Sequence, residues 1–290
     1  MSTAVSKKNK IIIFMCCHKQ YETVPPLCEP IQCGAALNPP IDGICRDNAG
    51  DNISHKNREY CELTAHYYAW KNIDADYYGF CHYRRFFAAD GCTGRPYITK
   101  GELSEKKRKL LLRDEDYWRE LVSAYEIIAP NSEDMGISAG KHYCTSKYHY
   151  AEDLHLFLEI LAEKVPRLTD TAKKYLSQNR QFFCNMFIMD KAHFLEYCEI
   201  LFDALKEFDC RKKKHGNFQS DRTDGYLGEI FTGIYITYCR ENGAKIKELP
   251  RLDAGSSVKK RISYTLFPPE SKRRFTAKRI VKALGGKQNV

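Results

Sequence analysis

The stretch Asp76-Tyr-Tyr-Gly-Phe-Cys-His-Tyr-Arg-Arg-Phe-Phe87 carries a short apolar run, Tyr77–Cys81, directly into His82, Tyr83, Arg84 and Arg85. A run of this length rich in aromatic residues reads as a buried strand. In open α/β sheets ligands bind in the crevice beyond the carboxyl ends of the strands, so adjacent guanidinium groups there predict a phosphate or diphosphate site. Strand alternation puts His82 and Arg84 on one side and Arg85 on the other, unless the chain has already turned. One arginine then meets the ligand, with Arg84 the first candidate. A salt bridge to nearby acids is the structural alternative for the pair.

Working outward, strands and helices alternate. Ile11–Met15 reads as the first core strand, followed by a loop-rich stretch punctuated by Pro25, Pro26, Pro30, Pro39 and Pro40. The turn-dense segment Asp47–Ser54 ends with two candidate caps, Ser54 and Asn57, for a helix over Arg58–Asn72. Beyond the opening strand come one or two charged helices over Leu103–Ala124, a strand at Tyr125–Ala129 and a polar, aromatic insertion over 131–150. Helices follow at Ala151–Lys164 and Thr169–Ser177, a strand at Phe182–Met189, and a strongly periodic helix at Lys191–Phe208. Lys212–Gly216 reads as a surface loop, Asp224–Arg240 as a last helix and Lys245–Leu249 as an edge strand. Strands separated by helices predict an α/β fold with a mostly parallel sheet covered on both faces.

Composition narrows the class. The 290 residues, 43% hydrophobic, suffice for a large core, and no window approaches the roughly 18 consecutive apolar residues of a membrane span. The thirteen cysteines include no Cys-x-x-Cys pair, so reduced thiols in a cytosolic protein are the expectation. The net charge of +9 sits in the tail: residues 256–290 hold ten Lys/Arg and one Glu, while residues 1–255 hold 36 charges of each sign. Ile262, Leu266, Phe267, Phe275, Ile280 and Leu284 interleave with those basic residues, a pattern suited to an anionic membrane surface, with nucleic acid the competing polyanion. A solvated tail is the plain alternative. The expected organisation is one domain over 1–255 and a basic amphipathic tail over 256–290.

The chain lacks G-x-x-x-x-G-K-[ST], G-x-G-x-x-G, G-x-S-x-G and H-E-x-x-H, the signatures of P-loop, Rossmann, α/β-hydrolase and zincin chemistry. What it holds in order is His18-Lys19, Gly50-Asp-Asn-Ile-Ser54, Tyr60-Cys-Glu-Leu-Thr64, Trp70-Lys-Asn72 and Gly79-Phe-Cys-His-Tyr-Arg-Arg85. Asn185-Met-Phe-Ile-Met189 and Gly225-Tyr-Leu-Gly-Glu229 extend the set. Together these resemble a bacterial capsular and exopolysaccharide biosynthesis family, long classed as a domain of unknown function (DUF4422-like) and now treated as glycosyltransferases. The resemblance covers roughly residues 10–240. It implies a GT-A-like sheet, a nucleotide-sugar donor, UDP-linked by expectation, and transfer onto a polyprenyl-diphosphate-linked glycan at the inner face of the membrane. Some relatives point to galactofuranose as the sugar.

Enzymes of that fold usually place Asp-x-Asp at the end of a central strand to hold a divalent metal against the donor diphosphate. Here His82-Tyr83-Arg84-Arg85 stands there, and an arginine can stabilise a leaving diphosphate, so metal-independent catalysis is expected, with Mn or Mg as the alternative. The donor-site candidates are His18, Lys19, Asp47, Asp51, Asn52, His82, Arg84 and Arg85. Asp47 and Asp51, on a tight turn, could hold a metal, a ribose or an acceptor hydroxyl, though turn duty explains them as well. His82 could equally be a hydrogen-bonded histidine behind the site. Glu62 matches the resemblance but could simply pair with Arg58 or His66.

The acceptor hydroxyl needs a general base, and Glu229 and Asp224 are the candidates. Five positions apart on a helix, they are turned about 140° from each other, so one alone can serve. Glu229 is preferred because it falls on the position that the resemblance matches; a helix-start cap for Asp224 and an ion pair of Glu229 with Arg222 or Arg240 are the structural alternatives. Tyr148 and His149, within the aromatic segment His142–Tyr150, could form a platform for the acceptor sugar, or pack as an ordinary loop. The rival readings are a polyanion-binding protein acting through the tail and a nucleotide-sugar hydrolase using the same anion pocket.

Overall fold

The computed structural model describes residues 9–90, 97–99, 105–212, 222–256, 262–263, 266–267 and 271–283. The strands are β1 (Ile11–Cys17), β2 (Cys28–Gln32), β3 (Cys45–Arg46), β4 (Tyr77–His82), β5 (Arg85–Phe87), β6 (Tyr97–Thr99), β7 (Ile127–Pro130), β8 (Glu133–Asp134), β9 (Arg180–Gln181), β10 (Phe187–Asp190), β11 (Ile246–Leu249) and β12 (Arg251–Ser256). The helices are α1 (Asn57–Tyr60), α2 (Leu63–Asn72), α3 (Glu105–Leu112), α4 (Glu115–Ala124), α5 (Ala139–Thr145), α6 (Ala151–Lys164), α7 (Thr169–Ser177), α8 (Lys191–Arg211), α9 (Thr223–Glu241) and α10 (Lys272–Ala283).

One sheet runs in the order β11-β7-β10-β4-β1-β2-β3, extended by β5, β12 and β6. β1 pairs in parallel with β2 and β4, as do β2 with β3 and β7 with β11. β10 alone in the middle runs antiparallel, to both β4 and β7. That reversal positions the site, because it brings the residues just before β10 to the same edge as the carboxyl ends of β1 and β4. Side chains alternate across the sheet into two cores. One packs Phe80, Phe187, Phe194, Tyr197 and Phe231 with the helices, and the other packs Ile13, Met15, Cys81, Ile188, Trp118 and Leu252. Gly79 lets β4 lie between its neighbours, since a Cβ there would come 2.8 Å from Ile188 and 3.0 Å from Ile13.

The α/β class and mostly parallel sheet are as the sequence predicts, and so are the long helices. Several expectations are corrected. β2 and β3 lie in the stretch read as loop. The helix expected over Arg58–Asn72 breaks at Cys61, whose φ is 52°, because Asn57 Nδ2 bonds the Cys61 carbonyl (2.7 Å) and closes α1 early. Neither expected cap serves as one: the Ser54 hydroxyl donates to Asp47 Oδ1 (2.5 Å) instead. The strand expected over Phe182–Met189 starts only at Phe187, since Cys184 and Asn185 have φ of 78° and 45°, which a strand does not admit. The insertion 131–150 contains β8 and α5. Of the Lys212–Gly216 loop and the 256–290 tail, 213–216 and much of the tail lie outside the described residues.

Candidate functional site

β4 ends at His82, and Tyr83–Arg84 turn the chain back so that His82 faces Arg85 of β5. The turn settles which arginine is free to meet a ligand. Arg84 is exposed at the tip, with its guanidinium 5.5 Å from the Tyr83 ring centroid. Arg85 points inward, donating from Nε to Asp253 Oδ1 (3.2 Å) and from Nη1 to Cys184 Sγ (3.4 Å). So the salt-bridge alternative holds for Arg85.

The Tyr83 ring also gathers the end of β1: His18 meets it edge-on at 4.9 Å, and Lys19 Nζ lies 5.5 Å from its centroid. A third cation, besides Arg84 and Lys19, arrives from much later in the sequence. Arg222, just before α9, donates from Nε to Cys61 Sγ (3.2 Å) and lies 5.9 Å from the Tyr226 ring. The His18 imidazole is held below its usual pKa by partial burial and then by its neighbours His82, Lys19, Arg84 and Arg222, which places all of them in one electrostatic neighbourhood. Among the described residues no carboxylate forms an ion pair with Lys19, Arg84 or Arg222. Such a rim can take a polyanion.

Two carboxylates floor this rim. Glu62 follows the left-handed Cys61, and its Oε1 accepts from Asn185 Nδ2 (3.1 Å) and lies 3.7 Å from His82 Nε2, a distance at which the pairing is electrostatic. Burial pushes the Glu62 carboxyl up, but His82 and Asn185 outweigh it and hold it down at about 2. Glu229, on α9, accepts at Oε1 from the Cys184 amide (2.8 Å). Burial raises its carboxyl to about 7, reinforced by the Glu62 charge and opposed by the Cys184 amide, Arg85 and Arg222. One carboxylate is thus ionised across the physiological range while the other exchanges a proton near neutrality, the division that acid–base chemistry uses. Both hang from the Cys184–Asn185 dipeptide. Asn185 also donates to the Gly225 carbonyl (3.1 Å), and Cys184 Sγ accepts from Arg251 Nη1 (3.1 Å), so the dipeptide ties β10, α9 and β12 together.

The structure brings His18, Lys19, His82, Arg84 and Glu229 together and sends the other candidates elsewhere. Asp47 is buried, with its oxygens taking the amides of Gly34 (2.8 Å) and Ala35 (3.0 Å) and the hydroxyls of Ser54 (2.5 Å) and Thr64 (2.6 Å). It builds the loop after β2. Asp51 and Asn52 shape the turn before α1, bonding Tyr67, Asn72, Gly50 and Ser54, none of them a residue of the rim or floor. Asp224 is buried against Lys212 (3.1 Å) on another side of α9, where burial raises its carboxyl to about 7. Tyr148 is exposed beneath Lys147. His149 is sandwiched between Tyr143 (4.3 Å) and Tyr226 (4.2 Å), its imidazole pushed down to about 4 by burial and then by His142. Only His149 of the proposed platform connects to the cleft, through Tyr226. Arg222, Tyr226, Asn185 and Glu62 complete the site. The only local signal for them was that Tyr226, Asn185 and Glu62 fall within the matched stretches.

A divalent metal does not fit the strand end, where His82, Tyr83 and Arg84 replace carboxylates. Among the described residues one acidic group has metal-like spacing, Glu59, Asp209 and Asp224. Lys212 Nζ stands among them, at 3.2, 2.6 and 3.1 Å respectively, and serves as their cation.

A mixed sheet with a cationic rim and a paired-carboxylate floor at its strand ends defines an α/β protein with a charged cleft. The chain belongs to the family described as "Domain of unknown function (DUF4422)", whose profile matches residues 12–241. It is similar to a solved WbbM bifunctional glycosyltransferase in its apo form, at 28% identity with a TM-score of 0.78. That likeness covers 86% of this chain and 46% of the other, so the chain spans about half of that protein's length. The family resemblance and the GT-A-like fold read from the sequence are borne out. No curated protein matches the chain.

Proposed function

We propose that the protein is a glycosyltransferase that moves a sugar from a nucleotide donor, UDP-linked, to a polyprenyl-diphosphate-linked oligosaccharide in surface polysaccharide synthesis. The observation that carries this is the cationic rim of Lys19, Arg84 and Arg222, with His18 among them, above a floor where Glu62 is held ionised and Glu229 exchanges a proton near neutrality. The WbbM likeness supports it.

In this reading Arg84, Arg222 and Lys19 bind the donor diphosphate. The acceptor hydroxyl attacks the anomeric carbon, its proton passes to ionised Glu229, and the bond to the diphosphate oxygen breaks with its electron pair leaving on the nucleoside diphosphate. Glu62 keeps Glu229 basic, and Tyr226 with His149 offers a flat wall for the acceptor sugar. The rim supplies the charge stabilisation that a metal would otherwise give, so catalysis is metal-independent. No helix among the described residues is long and apolar enough to cross a membrane. The basic tail would hold the enzyme on the inner membrane face as a peripheral protein.

The test is turnover of UDP-sugars, UDP-galactofuranose first, with a lipid-linked acceptor in excess EDTA. Sugar transfer supports the reading, and loss of turnover restored by Mn²⁺ would overturn its metal-independent part. Release of free sugar with and without acceptor would identify a hydrolase instead. Unchanged flotation with anionic vesicles after deletion of residues 256–290 would remove the tail from the account.

A further inference from the structure

The tail is seated on the body at one defined place. The Phe275 ring of α10 fills the space that a side chain at Gly136 would need, since a Cβ there would lie 2.8 Å from Cε1 and 2.9 Å from Cδ1. Gly136 has a φ of +72°, and its amide donates to Asp134 Oδ1 (2.8 Å), so backbone conformation and packing both call for glycine. Arg274 Nη1 donates to the Phe267 carbonyl (3.2 Å), linking α10 to the segment ahead of it.

That segment presents Ile262, Leu266 and Phe267 to solvent, 53%, 57% and 39% exposed. Large apolar side chains this open in a stretch so rich in Lys and Arg need a partner that is both anionic and oily. A nucleic acid meets the charge but offers no apolar phase. An anionic phospholipid surface meets both.

The seat also has a position relative to the cleft. Three residues before Gly136, Glu133 Oε1 pairs with Arg251 Nη2 (3.1 Å), and Arg251 contacts Cys184, whose amide holds Glu229. The wall carrying Gly136 is therefore the wall behind the carboxylate floor.

We infer that the tail docks on an anionic bilayer with Ile262, Leu266 and Phe267 in the lipid and Phe275 facing the other way, onto Gly136, so that the bilayer meets the protein beside the cleft. This rests on the membrane-associated reading of the tail given above, and deepens it by assigning opposite environments to two phenylalanines eight positions apart.

The test uses full-length protein with vesicles of phosphatidylglycerol and brominated phosphatidylcholine. Phe267→Trp is expected to add tryptophan emission that the brominated lipid quenches, and Phe275→Trp to add emission that it leaves unchanged. Leu266→Glu with Phe267→Glu is expected to weaken vesicle binding at least about tenfold while turnover of a soluble acceptor stays at the wild-type level. Equal quenching at both positions, no quenching at 267, or unchanged binding of the double variant would overturn the inference, as would loss of duplex RNA binding in that variant without loss of vesicle binding. Failure of the wild-type chain to float with vesicles would instead sink the tail reading itself, and absence of sugar transfer to a soluble acceptor would sink the proposed activity; neither depends on where the two tryptophans sit.

Discussion

The backbone amide of Cys184 donates to Glu229 Oε1 over 2.8 Å, while the side chain of the next residue holds Glu62. Two residues in left-handed conformation thereby aim both carboxylates of the cleft, at a cost of order 1 kcal/mol each for a non-glycine residue. Glu229→Gln keeps this geometry and removes the base, so kcat is expected to fall about 10²-fold or more with little change in donor KM. In the unmutated protein kcat/KM is expected to rise with pH along a limb centred near 7, the value to which Glu229 is raised. Glu62→Gln deletes the negative charge that helps raise it, so the limb moves to lower pH. A pH–rate profile of the two variants and the parent checks both statements.

The two arginines of the strand end are expected to part company on substitution. Arg84→Ala removes a rim cation, as does Arg222→Ala, and each is expected to weaken nucleoside diphosphate binding about tenfold to a hundredfold, the equivalent of about 1.5–3 kcal/mol for a charge-assisted hydrogen bond. Arg85→Ala strips the buried Asp253 of a partner and is expected to lower Tm instead. Calorimetric titration with UDP and thermal unfolding of the three variants separate the roles.

Stability is expected to decline with rising pH. Glu229 and Asp224 are raised to about 7, above the roughly 4 of an unfolded chain, so the folded state binds their protons more tightly. Their favourable contribution is complete below about pH 4 and is lost as pH rises through 7. Glu62, held at about 2, has the opposite sign, with stability lost only as pH falls from about 4 towards 2. Thermal unfolding at pH 5 and pH 8 should therefore show a smaller drop for Glu229→Gln than for the parent protein.

Asp47 carries no expected kinetic signature of its own. Asp47→Ala leaves the Gly34 and Ala35 amides and two hydroxyls without their acceptor, and is expected to cost about 3 kcal/mol or more of stability. A urea titration reads this directly. Loss of UDP affinity in a variant that remains folded would return Asp47 to the donor site.

Packing around α7 offers a further check. A Cβ at Gly233 would fall 2.1 Å from Cζ of Tyr175, whose hydroxyl accepts from the Phe182 amide (3.1 Å). Gly233→Ala is expected to displace that ring, cost about 1–3 kcal/mol, and slacken the chain leading to Cys184, lowering Tm and turnover together.

Much of this molecule is legible along the chain. The apolar runs of β1 and β4, the helical periods of α6, α8 and α9, and the polar residues that end β1 and β4 all follow from local pattern, because strand and helix periods are properties of neighbouring residues. His18, Lys19, His82 and Arg84 were therefore found where strands give out into the crevice. Their matched stretches also placed the chain in its family. The resemblance pointed to Glu229 and helical rotation to its separation from Asp224, but neither could assign Asp224 to Lys212 or Asp47 to a loop.

What only the tertiary structure decided was pairing. Whether Arg84 or Arg85 faces out depends on a two-residue turn and on Asp253, which is 168 positions away from Arg85. Arg222 joins the rim by bonding Cys61 from the start of α9, and Glu62 meets Asn185 across 123 positions because β10 runs antiparallel and brings the residues just before it to the carboxyl end of β4. The sequence determined by itself which segments become strands and helices and which polar groups stand at their ends. The protonation preferences of Glu62 and Glu229 were decided by the folded chain alone, since burial and neighbouring charge exist only once distant segments have met.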